Sequence, residues 1–181
     1  MKLLRTIRFD PSDTFVFDRA AEPGEWAVSG AFMFADAGPA ALAGKARAAF
    51  RAGLLGISSF GWSTLAQIVE ASEQDCAAVT ELLARQLVVH CGAPSVAQAR
   101  AAAEEEIAFA SALCTHPADT LIAVHRTDDN GEIREAFRTL RPRNGPKPLR
   151  AFSFLEVEDD EAPGETTSET IDLAALAREK K

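Results

Sequence analysis

The sequence predicts an α+β protein, a two-layer sandwich with three helices on one face of a mainly antiparallel sheet of six or seven strands. Three observations lead there. Trp26, Val28, Gly30, Phe32 and Phe34 recur at every second position, the period of a half-buried strand. Asn130-Gly131 stands between two runs of strand-forming residues, the strongest short-range hairpin signal. Between these lie three stretches with apolar residues three or four positions apart, typified by Leu42, Ala46, Ala49 and Phe50, as on amphipathic helices.

Taken in order, Lys2 to Phe9 alternates and reads as a strand, and Asp13 to Arg19, with Phe15 and Phe17 on one side, reads as a second. After the turn-prone Glu22-Pro23-Gly24-Glu25 comes the strand from Trp26 to Phe34, and Asp36 begins a break. Pro39 suits the first turn of a helix running to about Ala52 and stopping near Gly53. A loop over Gly56–Gly61 leads to a strand from Trp62 to Glu70, whose mixed apolar character predicts a central position. Ser72 with Asp75 opens a helix carrying Cys76, Val79, Leu83 and Leu87 on one face. It ends at Cys91, before Gly92 and Pro94. Ser95 with Gln98 caps the next helix, which runs to Cys114 and packs antiparallel to its predecessor.

Asp119 to Leu140 is the predicted hairpin. Counting outward from Asn130-Gly131 pairs Asp129 with Glu132, Arg126 with Glu135 and Val124 with Phe137. Leu149 to Val157 alternates and can close the sheet. The strand-then-helix units Trp26–Ala52 and Trp62–Cys91 predict one parallel crossover. Residues 1–157 thus read as one α+β domain. Residues 158–181 form an acidic tail with no apolar periodicity up to Glu169, which predicts disorder, and with a short helix over Ile171–Arg178.

The net charge of −8 is uneven: Glu156 onward carries nine acids and three bases, leaving the preceding body nearly neutral. That balance argues against nucleic acid as the partner. Arg5 and Arg8 interrupt the start before a signal peptide can form, and no apolar run is long enough to span a bilayer. An odd count of three cysteines, Cys76, Cys91 and Cys114, within helical patterns predicts a reducing compartment, the cytoplasm.

Catalytic signatures are missing from the sequence. There is no Gly-x-Ser-x-Gly elbow, and Gly53-Leu54-Leu55-Gly56 lacks the lysine of a phosphate loop. Glu104-Glu105-Glu106 point about 100° apart on a helix and read as a solvated face. His90-Cys91 and Cys114-Thr115-His116 offer zinc-ligand types, but they close successive antiparallel helices and so fall at opposite ends. The expectation is a protein with no catalytic residues, metal or cofactor.

What remains is basic. Six bases and one acid lie between Arg134 and Arg150. The hairpin register puts His125, Arg134 and Arg138 on the side opposite Ile122, Val124 and Phe137, and Arg126 and Arg141 complete the candidate set. Such a face can hold an acidic protein surface or an anionic small molecule. The leading expectation is a non-catalytic accessory or adaptor protein binding another protein. The alternatives are a binding module or enzyme for an anionic compound, adding Lys45 or Arg51, and a structural subunit of a larger complex.

Three runs, Phe60-Gly61-Trp62-Ser63-Thr64-Leu65, Glu105-Glu106-Ile107-Ala108-Phe109-Ala110 and Ile133-Arg134-Glu135-Ala136-Phe137-Arg138-Thr139-Leu140, resemble those of an uncharacterised proteobacterial family, a domain of unknown function. The resemblance reaches to about Val157. It implies a bacterial cytoplasmic setting and carries over no catalytic role.

Overall fold

The computed structural model describes residues 1–35, 41–141 and 156–159. Among these, one sheet holds eight strands in the order β4-β3-β2-β1-β5-β6-β7-β8. They are β1 Lys2–Ile7, β2 Trp26–Val28, β3 Leu54–Gly56, β4 Trp62–Ser63, β5 Leu65–Glu70, β6 Leu121–Asp129, β7 Glu132–Arg141 and β8 Glu156–Asp159. The helices are α1 Ser12–Val16, α2 Gly44–Ala52, α3 Glu73–Cys91 and α4 Val96–Ala112. The molecule is therefore α+β with an antiparallel sheet. No helix among the described residues is long and apolar enough to cross a membrane.

Every ladder among the described residues is antiparallel, so the expected parallel crossover does not occur among them. The two strand-then-helix units do run in the same direction, but β1 lies between β2 and β5 and pairs with both. The only parallel pairing among the described residues is the isolated bridge between Ala20 and Trp62.

Three predicted strands change character. Asp13–Arg19 is not a strand; Ser12–Val16 forms one helical turn, with Phe17 N–H bonded to Asp13 O at 3.0 Å. Asp13 decides this. Its buried carboxylate accepts from Ser63 Oγ and Thr64 N–H, each at 3.3 Å, and from the Thr64 hydroxyl. The same bonds draw Thr64 out of line and split the predicted Trp62–Glu70 strand. β4 becomes the sheet edge, and β5 takes the central place. The third, Trp26–Phe34, stops at Val28 because Gly30 adopts φ +80°, and the chain continues as a 3₁₀ turn over Ala31–Phe34. A Cβ on Gly30 would lie 2.6 Å from Leu55 Cβ and 3.0 Å from the Trp62 ring, so only glycine fits there.

The long helices follow the sequence closely. Ser72 and Asp75 form a reciprocal capping box, and Gly92 closes α3 with φ +70°. Ser95 Oγ accepts from Gln98 N–H at 3.3 Å to open α4. The helix expected to start at Pro39 begins at Gly44 in the described residues, and 36–40 lie outside them. Of the expected basic loop 141–147, Arg141 instead ends β7; 142–147, most of the strand 149–157 and the terminal helix 171–178 lie outside the described residues. Within the described residues β8 extends to Asp159.

Burial falls on both sides of β1. Leu3 joins an apolar cluster with Val28, Leu55, Leu83, Ala103 and Ile107, which fastens the α3–α4 pair to the sheet. Leu4 points the other way, into a cluster with Ile68, Ile122, Val124 and Cys114. A third cluster joins Phe17, Phe34 and Phe50 beneath α2, with Phe34 stacked on Trp62 at a centroid distance of 5.1 Å.

Candidate functional site

The β6–β7 hairpin has the register counted from sequence, Asp129 to Glu132 through Leu121 to Leu140. Asn130 and Gly131 both have positive φ, 56° and 91°, as a type I′ turn requires. The like-charged Asp129–Glu132 pair is tolerated for local reasons. Arg134 Nη2 pairs with Asp129 Oδ2 at 2.7 Å, and Gly131 N–H donates to Asp128 Oδ1 at 2.8 Å. His125, Arg134 and Arg138 are all exposed and share one side of the ladder. Arg138 stands opposite Asp159 of β8, and Arg141 opposite Glu156.

Arg126 does not belong to that face. Residues 122, 124 and 126 share the inner side, and the Arg126 side chain is wholly buried. Nε donates to Glu135 Oε1 at 2.7 Å; Nη1 donates to the carbonyls of Phe50 at 3.0 Å and Gly53 at 2.8 Å. Nη2 donates to the Ser29 carbonyl and, at 3.1 Å, to Ser29 Oγ. Those five acceptors match the five N–H donors of a guanidinium. Phe50 and Gly53 lie at the C-terminal end of α2, whose last carbonyls have no partner within the helix. A buried cation therefore closes that helix, where the helix dipole favours positive charge. Because its donors are used up, Arg126 holds the fold rather than a ligand.

The charge of Arg126 is answered by two carboxylates. Glu135 Oε1 also accepts from Ser29 Oγ at 2.5 Å. Glu106 of α4 faces the same pair, and its Oε2 is buried without a hydrogen-bond partner among the described residues. Burial, reinforced by repulsion from Glu135, raises the Glu106 carboxyl to about 7, with Arg126 acting in opposition. Burial lowers the Arg126 pKa from its ordinary value, against the pull of Glu135. The sequence reading of Glu104–Glu106 as a solvated face thus holds for Glu104 and Glu105, both exposed, but not for Glu106.

Beside the hairpin, α2 packs against β6 and leaves a cleft of about 390 Å³ lined by Arg47, Phe50, Arg51, His125, Arg126, Thr127 and Asp128. The structure thus brings His125 together with Arg51, one of the two α2 residues named from sequence. It adds Arg47, whose signal was its spacing of four from Arg51 on one helix. Lys45 instead approaches the Phe17 carbonyl at 3.4 Å. The cysteines and histidines are placed apart: His90 stacks on Phe60 at 4.3 Å, while buried Cys114 donates to the Ala110 carbonyl.

These features define an antiparallel α+β protein assembled around a buried arginine, with basic groups gathered on the outside of one hairpin and in the cleft next to it. The chain belongs to the family of unknown function DUF6505, whose model matches residues 1–156. No curated protein and no solved structure matches it.

Proposed function

We propose that this is a small accessory or adaptor protein of the bacterial cytoplasm, without catalytic activity of its own, that binds another protein. An acidic surface of that partner docks on the outer side of the β6–β7 hairpin. The observation that carries this reading is the shared exposed side of His125, Arg134 and Arg138 in a ladder whose register is set by Asn130-Gly131. The Arg134–Asp129 pair does not close the face. Its side chains are 65% and 43% exposed, and such a pair contributes about 0–1 kcal/mol, so a partner carboxylate can replace Asp129. The acidic chain, with a pI of about 4.9, disfavours nucleic acid in that role.

The test is affinity purification from the native host with the wild-type chain and an Arg134→Ala/Arg138→Ala variant, with thermal unfolding followed in parallel. Partners retained by the wild type and lost by a variant that melts alike support the proposal. If every partner survives the double substitution, the hairpin is not the docking face.

A second reading, a structural subunit of a larger complex, is favoured by one observation. Phe9, Phe15 and Val16 are 68%, 73% and 42% exposed within one short segment, and clustered exposed apolar groups mark association surfaces. Phe15→Asp leaving the sedimentation of the assembly unchanged would count against it.

A further inference from the structure

Most described arginines in this protein are engaged. Arg5, Arg8 and Arg19 donate to backbone carbonyls, and Arg85, Arg100, Arg126 and Arg134 pair with acids. Arg138 also has a partner. Arg47 and Arg51 differ: both are exposed, and neither makes an ion pair or side-chain hydrogen bond with a described residue. They lie four residues apart on α2, which brings their Cβ atoms within about 5–6 Å on one side of the helix. Both line the cleft against β6.

The rest of the lining suits the same purpose. His125 and Thr127 alternate onto the outer side of β6 and are exposed at the cleft. Among the described residues Asp128 is the only acid lining it, and its Oδ1 already accepts the Gly131 N–H. Behind the cleft, Arg126 is bonded to the last carbonyls of α2, so the negative end of that helix is answered before any ligand arrives.

From these observations we infer that the cleft between α2 and β6 binds a small phosphomonoester. Two guanidinium forks present paired donors, which match the oxygens and double charge of a phosphate better than a single ammonium would. A monocarboxylate has two oxygens and one charge, and so engages one fork. Thr127 and His125 also line the cleft. The cleft volume, about 390 Å³, falls in the range of small-ligand sites. The inference uses α2 residues that the hairpin proposal does not need, so either can fail alone.

The test is titration of the ¹⁵N-labelled full chain with phenyl phosphate at low salt, followed by NMR, with benzoate as the carboxylate control. Saturable shifts are expected at residues 47–51 and 125–128, with benzoate binding several-fold more weakly. Arg47→Gln/Arg51→Gln should weaken phenyl phosphate by about tenfold or more, and Arg134→Gln should leave it unchanged. Both α2 arginines are exposed, so the double variant keeps its fold, which melting confirms. The absence of saturable shifts, shifts confined to other residues, unchanged affinity in the double variant, or equal binding of benzoate would each overturn the inference.

Discussion

Arg126 Nε and Glu135 Oε1 meet at 2.7 Å across the β6–β7 ladder, with the arginine side chain fully enclosed and the glutamate 15% exposed. Directly opposed in register, they form an ion pair that also ties β2 and α2 to the hairpin through Ser29, Phe50 and Gly53. A buried pair of this kind adds little net stability against an apolar replacement, but breaking it is severe. Arg126→Met leaves Glu135 uncompensated and three carbonyls without their donor, and should destabilise by about 3–5 kcal/mol in urea unfolding. Adding Glu135→Leu should recover part of that loss, so the double variant lies well short of the sum of the singles. A simple sum would show that the two side chains do not act as a unit.

Glu106 gives the fold a pH dependence of definite sign. Its carboxyl titrates near 7 when folded, against an ordinary value of 4.5. The folded state therefore holds a proton that the unfolded state has released across that window. The contribution is most favourable below about 4.5, declines as pH rises and is fully lost above about 7. Glu106→Gln removes this titration, so the variant should gain on the wild type between pH 5 and pH 8. Parallel thermal melts at the two pH values check it.

Two glycines with similar backbones separate packing from conformation. Gly30 and Gly92 have φ of +80° and +70°, but a Cβ at Gly30 meets Leu55 at 2.6 Å while one at Gly92 meets nothing within 4 Å. Gly92→Ala should cost only the left-handed penalty, about 1–2 kcal/mol. Gly30→Ala should add an overpacking cost of about 1–3 kcal/mol. Chemical unfolding of both variants measures the difference.

Asp13→Ala tests what bends the chain at Thr64. Removing the carboxylate takes from Thr64 the acceptor of its N–H and hydroxyl. Thr64 is exposed, so water can replace it, and the loss should be about 0.5–1.5 kcal/mol per bond. Amide exchange should quicken at Thr64 and Phe17 ahead of the α3–α4 pair. Uniform acceleration would instead mean that α1 has no separate anchor.

The hairpin and α3 were readable in the sequence because their determinants are local. Asn130-Gly131 sets two positive φ values and so the whole register, and Ser72, Asp75 and Gly92 mark both ends of α3. The misread segments depend on distant partners. Phe15 and Phe17 fit a strand until Asp13 bonds to Ser63 and Thr64, fifty and fifty-one positions away. Arg126 is the most instructive residue. Its alternation with Ile122 and Val124 already put it on the inner side, but its charge argued for the surface. Its acceptors at Ser29, Phe50 and Gly53 lie 73 to 97 residues earlier. Arg47 was missed for the same reason, since nothing local says that α2 rests against β6.

The reach of Arg126 also bears on how the chain is made. During synthesis, β2 and α2 leave the ribosome long before residue 126, and β1 pairs with β5 across some sixty residues. Until the hairpin emerges, the end of α2 has no cation to close it. The end of α2 therefore gains its closing cation only once a side chain more than seventy residues further along has been translated.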